Sequence, residues 1–141
     1  DGASALMLMT GDKANSLGLI PLVTINAQAS AAHEPEWFTT APLKAISKVL
    51  EKANLSSKNI DLWEINEAFA PVVMAAINEF TLDHNKVNIN GGAIALGHPI
   101  GCSGARILTT LIHAMIKNNA HTGLATLCIG GGEASSILVR R

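Results

Sequence analysis

A basic surplus, membrane-length apolar runs, paired cysteines and the common nucleotide and metal motifs are all missing from this 141-residue sequence. Lys and Arg number 10 against 11 Asp and Glu, a formal net charge of -1. Such a chain has no positive field to hold a polyanion, which argues against nucleic acid or anionic lipid as partners. No apolar run approaches the roughly 20 residues of a membrane span, so no membrane association is expected. The two cysteines, Cys102 and Cys128, have no CxxC spacing and supply no disulfide framework; a reduced, intracellular setting follows. The histidines show no HExxH or comparable spacing, which leaves no metal site to expect. Gly-Lys-Ser/Thr is absent, as is GxGxxG between a strand and a helix, which disfavours a phosphate-cradling loop. There is no internal repeat, low-complexity tract or linker, and 48% hydrophobic composition suits one globular domain over residues 1–141. The chain opens at Asp1, not at methionine, and has no basic start followed by an apolar stretch. A fragment or processed product is therefore expected.

What is present is an alternation of two hydrophobic periods. The apolar run Ala3 to Thr10 reads as a mostly buried strand, and a brief helix closed by Gly18 follows. Leu22 to Ser30 begins rich in β-branched residues and reads as a second strand, and His33 to Phe38 as a loop with Trp37-Phe38 as a packing anchor. From Thr40, a candidate N-cap, Ala45, Ile46, Val49, Leu50 and Ala53 trace one helical face, with Pro42 in the first turn. Asp61 to Asn66 reads as a compact strand running into a helix from Glu67 to Phe80 that must accommodate Pro71. "KVNIN" is a short extended piece. Leu108, Leu111, Ile112 and Met115 mark a helix ending near Lys117, and "GLATLCI" and "ASSILVR" are two strands close enough to be antiparallel. The pattern predicts an α/β domain with a mixed sheet of about five strands flanked by helices.

Function in such folds gathers at the carboxyl ends of strands. Three polar points lie there: Asn66, His98 and Cys128. His98 sits between Gly97 and Pro99 just ahead of a helix, where the positive end of the dipole favours neutral imidazole, able to take a proton or donate a hydrogen bond. The glycines around it, from Gly91 to Gly104, let another segment or a ligand approach the backbone; a plain loop histidine among turn glycines is the competing reading. Cys128 precedes Gly130, Gly131 and Gly132, whose N–H groups could hold an oxyanion beside a thiolate, although free cysteine is most often inert and buried. Asn66 is expected to cap the next helix, or to orient a water or carbonyl, and Glu67 to sit in that helix's first turn. Cys102 is assigned to structure, and His33, His84, His113 and His121 to the surface.

Taken together and in order, "NEAFA" (Asn66 to Ala70), "GGAIALGHPIGCSGAR" (Gly91 to Arg106) and "CIGGG" (Cys128 to Gly132) resemble the carboxyl-terminal half of thiolases, the acetyl-CoA acetyltransferase and 3-ketoacyl-CoA thiolase family. "DGASALMLM" and "TAP" look similar to the same family. The resemblance implies one of two βαβαβαββ halves, here the second, and a reversible Claisen condensation of acyl-CoA or CoA-dependent cleavage of 3-ketoacyl-CoA. It implies that His98 activates an acyl-accepting cysteine, that Asn66 holds a water of an oxyanion hole and that Cys128 moves the α-proton. It further implies that the Gly130 N–H serves a second oxyanion hole and that Ala68 and Phe69 line the pantetheine and acyl pocket. Coenzyme A thioesters would be substrates and no cofactor would be tightly bound. The partners implied are the absent amino-terminal half, which carries the nucleophile, and further copies in a homodimer or homotetramer. The chain alone is expected to be inactive and, with its half-interface exposed, to associate. Cytoplasm, or a mitochondrial or peroxisomal matrix, would suit it. Two alternatives differ in chemistry: a decarboxylating ketoacyl synthase, which would be expected to use histidine in the place of Cys128, and a non-catalytic thiolase-like module that binds CoA or serves assembly.

Overall fold

The computed structural model describes residues 1–141. Strands Thr24–Ala32 (β1), Leu62–Ile65 (β2), Thr122–Ile129 (β3) and Glu133–Arg140 (β4) form one mixed sheet in the order β1-β4-β3-β2. β4 is antiparallel to both its neighbours, whereas β2 runs parallel to β3. The helices are Gly11–Ser16 (α1), Ala41–Ala53 (α2), Ala70–Phe80 (α3), Ala93–Leu96 (α4) and Ile100–Lys117 (α5). None is long and apolar enough to cross a membrane.

Strand alternation divides the core in two. Trp63, Ile65, Leu124, Cys128 and Leu138 point to the face covered by α2 and α3, where they meet Ile46, Val49, Leu50 and Val72. Leu62, Ala125 and Val139 point the other way, onto Ile107, Leu111, Ala114 and Met115 of α5. Small residues set how close the layers come. Ala41 and Ala45 let α2 approach Ala31 and Ala134. Gly123 does the same for α5, since a Cβ there would stand 2.5 Å from Met115 Sδ and 3.0 Å from Leu111 Cδ1. Two buried hydroxyls, Thr126 and Ser136, satisfy each other across β3 and β4 at 2.7 Å.

The sheet has four strands, not about five. Ala3 to Thr10 forms none of them: its backbone has no ladder partner, and Met7 and Leu8 are exposed. Apolar content cannot make a strand where no neighbour offers its N–H and C=O groups. The segment instead lies along α5, with Ser4 Oγ 3.1 Å from Thr109 Oγ1. "KVNIN" contributes only one bridge, Val87 to Trp63. The supposed loop holds a 3₁₀ turn, Pro35–Thr40, in which Phe38 packs inward and Trp37 stays exposed. Thr40 does precede α2, but its hydroxyl bonds Trp37 O at 3.0 Å and caps nothing. α3 starts at Ala70, so Phe69 and not Asn66 is its N-cap. The reason is Pro71: in a helix begun at Glu67 its ring would meet the Glu67 carbonyl, whereas at the helix start its missing N–H costs nothing.

Met7, Ile20 and Leu22 are exposed on the same side as that unpaired segment, Ile20 to 91%. A contiguous apolar patch of this kind drives association. Sedimentation velocity is expected to show concentration-dependent self-association of the chain, shifted toward monomer by Ile20→Glu; a clean monomer at every concentration would contradict the expectation.

Candidate active site

Two loops meet at the carboxyl end of β2. Asn88, held at φ 49, is their hinge: its Oδ1 accepts the Ile65 N–H at 2.8 Å, and its Nδ2 donates to Ile65 O at 2.9 Å and to Glu67 Oε1 at 3.0 Å. Glu67 Oε2 in turn accepts the Ile94 N–H at 3.0 Å. Glu67 is therefore not in the first turn of α3; its carboxylate ties the segment after β2 to the start of α4. Gly92 makes this possible, because a Cβ there would overlap the Glu67 carboxyl group.

That clamp delivers His98 to Asn66. The chain leaves α4 through Gly97 at φ 95, a left-handed conformation that only glycine adopts cheaply, and Pro99 then serves as N-cap of α5. Asn66 is fully buried, its N–H bonded to Thr126 O at 2.9 Å. Donor bookkeeping around the two side chains allows one arrangement. Arg106, a donor only, fixes Asn66 Oδ1 as acceptor and so turns Nδ2 to His98 Nε2; Ser103 Oγ, 2.5 Å from Nδ1, then accepts there and gives its own hydrogen to Pro99 O at 3.2 Å. Nδ1 therefore carries the proton, and Nε2 is an acceptor that faces the Asn66 Nδ2 donor at 3.4 Å. Arg106 Nη2 donates to the other end of that carboxamide, Oδ1, at 3.3 Å. In that arrangement the imidazole is held at both nitrogens, with the Nε2 lone pair facing Asn66 Nδ2 at the carboxyl end of the sheet.

Cys128 reaches the same end of the sheet from β3 but on the opposite face, packed in the α2 and α3 core. Burial pushes its thiol above the usual cysteine range. The three residues Gly130 to Gly132 turn β3 into β4, with Gly132 at φ 96 and its carbonyl accepting the His33 N–H at 3.0 Å. Gly130 is exposed and open on the side where a Cβ would lie. Phe69 is 58% exposed and stacks edge-on against Phe38, with Ala68 half-buried beside it. Asn66 and His98 are thus brought into contact, while Cys128 and Gly130 form a second group with no hydrogen bond to the first. Cys102 is buried in the first turn of α5. His33 does more than sit on the surface, bonding Trp37 O through Nε2 at 2.7 Å.

Besides Asn88, three contributors escaped the sequence reading. Ser103 and Arg106 lie one helical turn apart on the same face of α5, a spacing visible in "GHPIGCSGAR" once the helix start is known. Glu64 precedes Asn66 by two residues and so shares its face of β2. Its carboxylate is 2% exposed, its Oε2 lies 3.5 Å from Arg106 Nη1, and its Oε1 has no partner. Desolvation raises this group to about 7 from 4.5, with Arg106 pulling it down and Glu67 pushing it up.

Between about 4.5 and 7 the folded chain keeps a proton that the unfolded chain has lost, so stability falls as pH rises through that window, by a total on the order of 3 kcal/mol. Glu64→Gln, shaped like the neutral acid, is expected to melt with wild type at pH 4.5 and above it at pH 8. Parallel melting curves for the two proteins at all pH values would refute the assignment.

Comparison with known proteins agrees with this architecture. A family model described as the C-terminal domain of thiolase matches residues 19–141. Acetyl-CoA acetyltransferase 2 of Arabidopsis thaliana is 50% identical over 99% of the chain, which covers 34% of that protein. The human mitochondrial acetyl-CoA acetyltransferase is 51% identical over the whole chain, which covers 33% of it. Among solved structures, the Bacillus anthracis acetyl-CoA acetyltransferase superposes with a TM-score of 0.91 at 43% identity, over 94% of this chain and 34% of that one. Human mitochondrial 3-ketoacyl-CoA thiolase gives 0.90 at 39% identity, over 93% and 33%. The chain spans about one third of the length of these relatives. With a matching family model over most of its residues and half of them identical to those of named members, the chain belongs to the thiolase family, in its C-terminal half.

Proposed function

We propose that this chain is the C-terminal domain of an acyltransferase that condenses two acyl-CoA molecules reversibly, or cleaves a 3-ketoacyl-CoA with coenzyme A. The observation that carries the reading is the His98–Asn66 pair, with an accepting Nε2 at the carboxyl end of the sheet. His98 Nε2 takes the thiol proton of a cysteine contributed from outside this chain, and that thiolate attacks an acyl-CoA carbonyl. The departing CoA thiolate recovers the proton from Nε2. While the thioester oxygen carries charge, Nε2–H and a water held by Asn66 stabilise it. Cys128 then removes the α-proton of a second acetyl-CoA. The enolate forms a carbon–carbon bond with the acyl carbonyl, the bond to the nucleophilic sulfur breaks, and the Gly130 N–H supports the oxyanion. Thiolysis runs the same steps backwards. Ala68 and Phe69 line the pantetheine and acyl path.

Neither Cys102 nor Cys128 hydrogen-bonds to His98, and both are buried, which supports a nucleophile elsewhere in the protein and an inactive isolated chain. Substrates are CoA thioesters, and the working assembly is a homodimer or homotetramer. Two of the relatives described above are mitochondrial; a cytoplasmic, mitochondrial or peroxisomal setting fits the proposed activity.

The roles separate experimentally in the longer protein that carries this chain. His98→Asn is expected to lose acylation by acetyl-CoA by about 10²–10⁴-fold. Cys128→Ser is expected to keep that half-reaction, read by intact mass, while losing condensation and deuterium exchange at the acetyl methyl group to a comparable degree. Acylation found on Cys128 itself would overturn the assignment. Because burial raises the Cys128 thiol, the thiolate needed for condensation is scarce at neutral pH. The condensation rate is therefore expected to climb about tenfold per pH unit in the alkaline range, and a flat profile there would remove Cys128 as the base.

A further inference from the structure

We propose that the buried Glu64–Arg106 pair is a positioning device that fixes the Asn66 carboxamide in one orientation and, through it, the protonation pattern of the His98 ring. The inference rests on the acyl-transfer reading for its catalytic consequence, though not for its structural content.

A carboxamide can rotate by half a turn with almost no change of shape. Rotated, Asn66 would present Oδ1 to His98 Nε2, and that pairing is favourable only if the proton moves from Nδ1 to Nε2. The accepting lone pair would then be lost from the end of the ring that faces the site. Arg106 prevents this because guanidinium has donors only. Its Nη2 at 3.3 Å from Asn66 demands an oxygen there. α5 thereby controls both nitrogens of the imidazole: Ser103 acts on Nδ1 directly, and Arg106, one turn later, acts on Nε2 through Asn66.

Glu64 anchors the arginine. A packing role would not keep a carboxyl group here, since an apolar side chain of the same size avoids both the unpartnered Oε1 and the desolvation. Its surroundings leave one partner. Arg106 faces it from α5, Glu67 repels it from the segment after β2, His98 lies beyond Asn66, and β3 carries no charged side chain. The ionised form holds Arg106 by charge; the neutral form holds it by a hydrogen bond alone.

The test uses the intact protein carrying this chain, with ring-labelled histidine read by magic-angle-spinning NMR and His98 identified by difference against His98→Asn. Wild type is expected to show a single Nδ1–H form at His98. Arg106→Met is expected to give a mixture of tautomers and to slow acylation by acetyl-CoA about 10–100-fold in kcat, with KM within twofold. Arg106→Lys, which restores a donor, is expected to recover part of both and serves if the Met variant does not fold. Glu64→Gln is expected to keep the single tautomer and to lose any inflection near pH 7 in the acylation rate. A single Nδ1–H form in the arginine variants would overturn the proposal, as would a loss confined to KM. If the wild-type protein performs no acyl transfer, the proposed function fails, while the tautomer measurement still decides the positioning role.

Discussion

Helix α5 packs on the sheet over Gly123, where the missing side chain leaves room for Met115 and Leu111. With Leu111 and Met115 seated over that glycine, the helix axis comes close enough to β2 and β3 for its first two turns to reach the strand ends. The His98–Asn66 group is then held from α5. Pro99 caps it, Ser103 takes the Nδ1–H of His98, and Arg106 spans to Asn66 and Glu64. A side chain at Gly123 would press on Met115 and Leu111 and disturb the packing under the helix, while the Arg106 hydrogen bonds, at 3.3–3.5 Å, have little distance to spare. The apolar core and the polar site are thus one mechanical unit.

The polar residues divide their labour by reach. Asn88 and Glu67 bond mainly to backbone and so fix where two loops run. Ser103 and Arg106 bond to side chains and so fix which way two rotatable groups point. The first set is satisfied atom for atom, while Arg106 in the second is paired with Glu64, whose Oε1 is the one buried side-chain oxygen without a partner. The unsatisfied polarity thus lies beside the His98–Asn66 pair, where the proposed proton transfer would depend on orientation.

Much of this was readable in advance. The 3.6-residue spacing of Ile46, Val49 and Leu50 and the glycine-bounded run of β3 specify their elements through local burial alone. His98, Asn66 and Cys128 stood out because each is polar at the end of an apolar segment. Other features depend on partners far along the chain. Glu64 and Arg106 are 42 residues apart, and nothing near either announces the pair. The start of α3 was misplaced because the steric demand of Pro71 outweighs the capping preference of Asn66. Ala3 to Thr10 has the composition of a buried strand but no ladder to join, and composition cannot report a missing neighbour.

The sheet order has a consequence for how the molecule comes into being. β4, the last strand in the chain, lies inside the sheet, hydrogen-bonded to β1 on one side and β3 on the other. During vectorial synthesis β1 emerges about a hundred residues ahead of β4, the one strand it pairs with. The nascent chain must keep an open, partly apolar edge waiting throughout that interval. The β1–β4 pairing thus has a high contact order and is slow by the standards of local folding, and a break in β4 leaves β1 without a partner and β3 with β2 alone.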